Sequence, residues 1–288
     1  MNGRKEDLNM VKIISDSSTL YTTNEAAAKG IAVVPLNIVV DQSSYKDLDE
    51  MTSTKLLRLI QEKKIPSSSQ PSIGEKQACY EQYLEEEQIL DITMAQGLSG
   101  TYDSACMAKQ LVDSDKITVF NSKTLCGPHR ALVDYAKKLS DQGMSAQEIV
   151  DSLASCVETE ISFLVPRDFS FLKRGGRVSQ LEAGVGGFLK LVPTMIKSAN
   201  GKRLESFCVT KTFKKAVKNM IAEMKKRQVD SSYTFFISHA FNEDDALKAQ
   251  TLIEEQFEGA RIVLLPLSPV FIAQGGPECV AVQAIRIA

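Results

Sequence analysis

From Val11 to Leu139, short apolar runs alternate with stretches whose apolar residues recur at helical spacing, and this alternation constrains the fold most. Val11–Ile14, Ile31–Val40, Ile89–Ala95 and Ile117–Phe120 have the length and composition of buried strands. Between them, apolar residues at 56, 57, 59 and 60 give Thr52–Lys63 a helical face, and Thr101–Leu111 and Arg130–Leu139 read the same way. A shorter helical stretch runs through Ala26–Ala28. Ser72 with Glu75, and Ser145 with Glu148, form capping boxes, where hydroxyl and carboxylate satisfy free N–H groups at a helix start. Strands separated by helices pair in parallel through right-handed crossovers. The first half is therefore predicted to be α/β.

The second half has another rhythm. Ile161–Val165, Tyr233–Ile237, Ile262–Leu265 and Val280–Ile287 read as strands, and Phe213–Lys226 and Asp244–Phe257 as helices. Asn200-Gly201 between two extended runs signals a hairpin, whose turn needs positive φ. Parallel and hairpin signals together predict a mixed sheet. With 288 residues, 43% of them hydrophobic, the chain can build two cores. The expected architecture is a parallel-sheet α/β domain over 10–158 and an α+β domain with a mixed sheet over 159–288.

Charge narrows the function. The formal balance, 34 − 36 = −2, supplies no general attraction for nucleic acid or anionic lipid. Six cysteines without C-x-x-C spacing and two histidines, His129 and His239, make a zinc site a poor prospect. The polar start has no apolar signal region, and Ile31–Val40, interrupted by Pro35 and Asn37, is too short to span a bilayer. Reduced thiols, a cytoplasmic location and no integral membrane association are expected.

Three polar segments fall where strands of a parallel sheet end, the usual place for ligands: Asp16–Ser18, Ser67–Ser72 and Gln96–Thr101. Hydroxyls and free N–H groups at helix starts form a neutral cradle for an anion. Each segment alone also reads as an ordinary cap or turn. Gly97-Leu98-Ser99-Gly100-Thr101 has threonine where a nucleophile elbow needs its last glycine. Gly184-Val185-Gly186-Gly187 lacks the third glycine of a dinucleotide fingerprint and the ending of a phosphate loop. The basic run Phe171–Ser179 reads as a solvated turn or as a small patch for an acidic partner or phosphate. The apolar, glycine-rich stretch 185–192, with Phe188, reads as helix packing or as the floor of an apolar pocket.

Together these residues resemble the DegV family of bacterial fatty-acid-binding proteins. Asp16-Ser17-Ser18 is similar to the family's D-S-T/S, and Ser68-Ser69-Gln70-Pro71-Ser72 to T-S-Q-P-S. Leu98–Ala105 is similar to L-S-G-T-Y-x-S-A, and Leu172–Ser179 to L-x-x-G-G-R-I-S. The resemblance, which runs from Ile13 to Ile287, implies two domains with an acyl chain buried between them. It implies a carboxylate held at Ser68, Ser99 and Gln274, with Ser69, Gly100 and Thr101 around it. Gln274 stands where relatives usually carry histidine; glutamine offers a neutral hydrogen bond and no positive charge. Arg177, and Lys211 where relatives tend to carry arginine, are implied to face a dihydroxyacetone-kinase-like fatty acid kinase.

The function so implied is non-covalent binding of a long-chain fatty acid such as palmitate and presentation of its carboxylate to that kinase. No cofactor, metal or catalytic residue is expected. The alternatives are a small acyl hydrolase using Ser99 and a sensor for another apolar carboxylate.

Overall fold

The computed structural model describes residues 10–178, 191–198 and 201–288. The chain begins with β1 (Val11–Asp16), a 3-10 turn (Ser17–Thr19), α1 (Thr23–Ala28), β2 (Ala32–Val34), β3 (Asn37–Val40) and β4 (Ser43–Lys46). There follow α2 (Ser53–Gln61), β5 (Ser67–Ser69), α3 (Ile73–Gln82), β6 (Gln88–Thr93), α4 (Thr101–Val112) and β7 (Ile117–Asn121). Next come α5 (Cys126–Asp141), α6 (Ala146–Val157), β8 (Ile161–Val165), α7 (Phe169–Gly175), β9 (Val192–Lys197) and β10 (Leu204–Thr210). The chain closes with α8 (Phe213–Lys226), β11 (Thr234–His239), α9 (Glu243–Glu254), β12 (Arg261–Pro266), α10 (Pro269–Gly275) and β13 (Val280–Ile285).

Among the described residues the strands form three sheets. The first is parallel, in the order β2-β1-β6-β7. The second is mixed, in the order β10-β9-β8-β13-β11-β12, with β11 and β12 its parallel pair. The fold is α/β, as the alternation predicts. Both capping boxes form, opening α3 and α6. The hairpin also forms, with β9 antiparallel to β10 and Gly201 at φ 68°.

A third, small antiparallel sheet, β4-β3-β5, was not expected. The run Ile31–Val40 is two strands in two sheets, not one. Pro35 has no N–H to give a ladder, and the Leu36 N–H is taken by the Ser17 hydroxyl at 3.1 Å. Ser67–Ser69, read as a loop before a helix, pairs with β3, so that Ser68 faces Ile38 in register. The run read as a solvated turn is mostly α7, closed by Gly176 in the left-handed conformation. Helix α10 was missed because it has only seven residues and begins at a proline.

Among the described residues three apolar clusters hold the sheets. Helices α8 and α9 cover one face of the mixed sheet through Val217, Met220, Phe235, Ile237, Val280 and Val282. A second cluster joins β1 and α5 to Phe236, Leu265 and Cys279 on the mixed sheet's opposite side. The smallest packs Tyr80 of α3 and Ala108 of α4 against Ile14, Ile89 and Ile117 of the parallel sheet. A Cβ on Gly127 would lie 2.2 Å from the Phe236 ring, so only glycine lets α5 lie this close to β11. No helix among the described residues is long and apolar enough to cross a membrane.

Candidate functional site

Between the parallel and mixed sheets lies a cavity with about 910 Å³ of atom-free space, part of it continuous with solvent. Leu36, Met94 and Leu125 come to it from the first half of the chain, and Leu164, Leu267 and Phe271 from the second. The wall is mostly apolar. Ser68, Ser69, Ser99, Arg177 and Gln274 gather at one part of it.

This polar group depends on α10. Asp47 Oδ1 accepts the Val270 N–H at 3.1 Å, and its other oxygen accepts the Ser17 hydroxyl at 2.7 Å. Asp47 is fully buried, and burial pushes its carboxyl up to about 7 against the pull of these two donors. The helix so anchored sets Gln274 against β5, where Nε2 donates to Ser68 Oγ at 3.0 Å. Gln274 Oε1 is buried without a donor. The hydroxyl can equally donate to the amide turned over, which frees both N–H groups for a ligand. A Cβ on Gly175 would stand 1.9 Å from Gln274 Oε1, so this glycine gives the glutamine its room.

Two residues on, Arg177 donates from Nε to the Leu98 carbonyl at 3.2 Å and from a terminal nitrogen to the Gly175 carbonyl. Partial burial lowers its pKa. Ser99, the next residue after Leu98, lines the same cavity as Arg177. Ser99 Oγ is hydrogen-bonded to the Thr101 hydroxyl at 2.8 Å and accepts the Thr101 N–H at 3.3 Å. Hydroxyls, an amide and a guanidinium thus converge at one place. An anion with an apolar body fits that arrangement.

Of the residues expected at a headgroup, Ser68, Ser69, Ser99 and Gln274 line the cavity. Gly100 and Thr101 do not. Gly100 opens α4, a Cβ there would sit 3.0 Å from the Gln70 side chain, and buried Thr101 acts by holding Ser99. Arg177, expected to face a partner, is in the cavity wall, whereas Lys211 is exposed and outside it. The stretch with Gly184–Gly187 and Phe188 lies outside the described residues.

The polar groups of Asp16–Ser18 are buried and bond within the protein. Asp16 accepts the Ser18 and Met94 N–H groups, each at 2.9 Å. Ser18 hydrogen-bonds His129 Nδ1, and His129 Nε2 lies 3.2 Å from the Ile92 carbonyl. Because that carbonyl only accepts, Nε2 carries the proton and Nδ1 accepts from Ser18. Burial lowers the His129 pKa and favours the neutral ring. Sequence reasoning had missed this serine–histidine contact, because 111 residues separate the partners. It had also missed Gln283 and Ser162 in the cavity wall; their only signal is a polar residue inside each of two apolar strands.

A parallel sheet and a mixed sheet with a mostly apolar cavity between them define the class of fold. A family model described as an uncharacterised protein of the DegV family matches residues 10–286, and the chain belongs to that family. A DegV domain-containing protein of Halalkalibacterium halodurans is 29% identical over 264 residues, 90% of this chain and 93% of that one. A fatty-acid-binding DegV family protein from Thermus thermophilus has the same fold, with TM-score 0.87 and 23% identity over 96% of this chain and 99% of that one. DegV of Bacillus subtilis, described as a fatty acid binding protein, matches with TM-score 0.83 and 23% identity over 96% of this chain and 99% of its own.

Proposed function

We propose that this protein binds one long-chain fatty acid non-covalently, with the carboxylate at Ser68, Ser99, Arg177 and Gln274 and the tail in the apolar cavity. The observation that carries the reading is the convergence of donors at one corner of a mostly apolar cavity. Burying a palmitate-sized chain at ~0.8 kcal/mol per methylene gives on the order of 10 kcal/mol of gross driving force. Association and ordering remove several kcal/mol of it. The tail supplies affinity, and the donors offset the desolvation of the carboxylate. The wall draws on both 10–158 and 159–288, which supports a cleft between two domains.

Binding fits this site better than hydrolysis. The Ser99 hydroxyl is paired with Thr101, while His129 is buried against Ser15 and Ser18 and His239 accepts the Asn242 N–H. The bound carboxylate is then presented to a separate fatty acid kinase, with exposed Lys211 among the cations that meet it. All six cysteines are free, which supports a cytoplasmic setting.

Native mass spectrometry of gently purified protein tests this reading. The expected result is an added mass in the range of a long-chain fatty acid, lost on delipidation and restored by adding the acid. Tight binding of a nucleotide, with no uptake of any long-chain acid, would overturn it.

A further inference from the structure

The cavity has a second polar element that a plain acyl chain leaves unsatisfied. Strand β13 pairs with β8 so that Ala281 is opposite Leu164 and Gln283 opposite Ser162. Cys279, Ala281 and Gln283, alternate residues along the chain, line the cavity, while Val280, Val282 and Ala284 belong to the core under α8 and α9. The cavity wall along β13 therefore runs from a thiol and a methyl group to a carboxamide.

Gln283 is only 2% exposed. Its Nε2 donates to the Leu125 carbonyl at 3.1 Å and to Ser162 Oγ at 2.7 Å. Since a carbonyl only accepts, Leu125 fixes which way the amide points. The Ser162 hydroxyl donates in turn to the Glu160 carboxylate, which also accepts from Thr124 Oγ1 at 3.0 Å and lies 2.7 Å from Lys197 Nζ. Each of these donors has an acceptor. What remains is Gln283 Oε1, a buried acceptor without a donor. Turning the amide would set oxygen against oxygen at Leu125, so the side chain cannot cure this by itself.

Methylene groups and carbon–carbon double bonds donate no hydrogen bond, so saturation and unsaturation alike leave Oε1 unpaired. A hydroxyl on the chain would satisfy it. A Cβ on Gly275, next to Gln274, would stand 2.8 Å from Cys279 Sγ, which ties that end of β13 to the headgroup corner. Gln283 lies four residues further along the strand, ~13 Å away. That is the length of about ten carbons of extended chain.

We propose that the acyl site is built for a fatty acid carrying a hydroxyl near the middle of its chain, with Gln283 Oε1 as the acceptor. The proposal rests on the fatty-acid reading above and names the ligand class of that same site.

The test is competition binding to delipidated protein, using stearic acid and its hydroxylated relatives with the hydroxyl at about carbon 10 or about carbon 12. At least one hydroxy acid is expected to bind the native protein as tightly as stearic acid or more tightly. In Gln283→Met the order should reverse, with stearic acid favoured by about tenfold. Native protein that prefers stearic acid by about tenfold over both hydroxy acids would overturn the proposal and leave the fatty-acid reading standing. So would an unchanged preference in Gln283→Met. Binding of none of the three acids would remove the fatty-acid reading and the proposal together. The native comparison decides the matter even if the variant fails to fold.

Discussion

Two serine-rich places in this molecule use the same side chains to opposite ends. In Ser15–Thr19 every residue is buried and the side chains bond within the protein, to Asp47, His129 and the carbonyls of Ile92 and Asp16. At Ser68 and Ser99 the hydroxyls are half-buried and stand in the wall of a cavity, with Gln274 and Arg177 beside them. The first place is closed and holds the fold. The second keeps donors for something that arrives. Residue type does not separate them; whether the side chains are sealed in the interior or stand in the cavity wall does.

The sharpest way to break the comparison is to damage the closed place. Asp16→Ala removes the acceptor of two buried N–H groups, and the stability loss should be roughly 3 kcal/mol or more. Urea unfolding reads it directly. Ser68→Ala should move the same midpoint by less than about 0.5 kcal/mol.

Damage to the open place should appear in binding. Arg177→Ala should weaken fatty acid affinity about tenfold or more, since a charged hydrogen bond is worth ~1.5–3 kcal/mol. Gln274→Leu, which removes a neutral bond of ~1 kcal/mol, should cost about fivefold. Lys211→Ala should leave lipid affinity unchanged and act, if anywhere, on kinase coupling. Titration calorimetry with delipidated protein ranks the three. An equal loss in all of them would erase the distinction between wall and surface.

A smaller effect is expected at Gly175. Its added methyl in Gly175→Ala would overlap Gln274 Oε1, the end of a side chain that can turn away. The fold should survive while affinity falls toward that of Gln274→Leu.

A separate effect concerns pH. Burial raises the folded Asp47 carboxyl to about 7, above its value in the unfolded chain. The folded state thus holds the proton more tightly, and the associated stability is fully present below the unfolded pKa and lost as pH rises through about 7. Melting temperature should fall between about pH 4 and about pH 7 in the native protein, level off above that, and vary less in Asp47→Asn.

Much of the fold was legible because its helices are capped locally and its strands are apolar. The capping boxes at Ser72 and Ser145, and the Gly201 turn, are decided by residues within a few positions of one another. The small sheet was not legible, because Ser67–Ser69 becomes a strand only by pairing with β3. Helix α10 takes its anchor from Asp47, 223 residues from Val270, so no local signal marks it. At the candidate site the resemblance named Ser68, Ser99 and Gln274, and the cavity holds all three. It implied a partner-facing Arg177; this half-buried side chain also donates to the Leu98 carbonyl, 79 residues away, and lines the cavity, a contact no local signal marks.

The central claim is that a carboxylate is held at this corner while a tail fills the cavity. Its most direct test is a titration of delipidated protein with palmitic acid and with methyl palmitate, which share the tail and differ in the charged headgroup. The account predicts that the acid binds more tightly by about tenfold or more, and that Arg177→Ala removes most of that preference. Equal affinity for acid and ester in the native protein would contradict it.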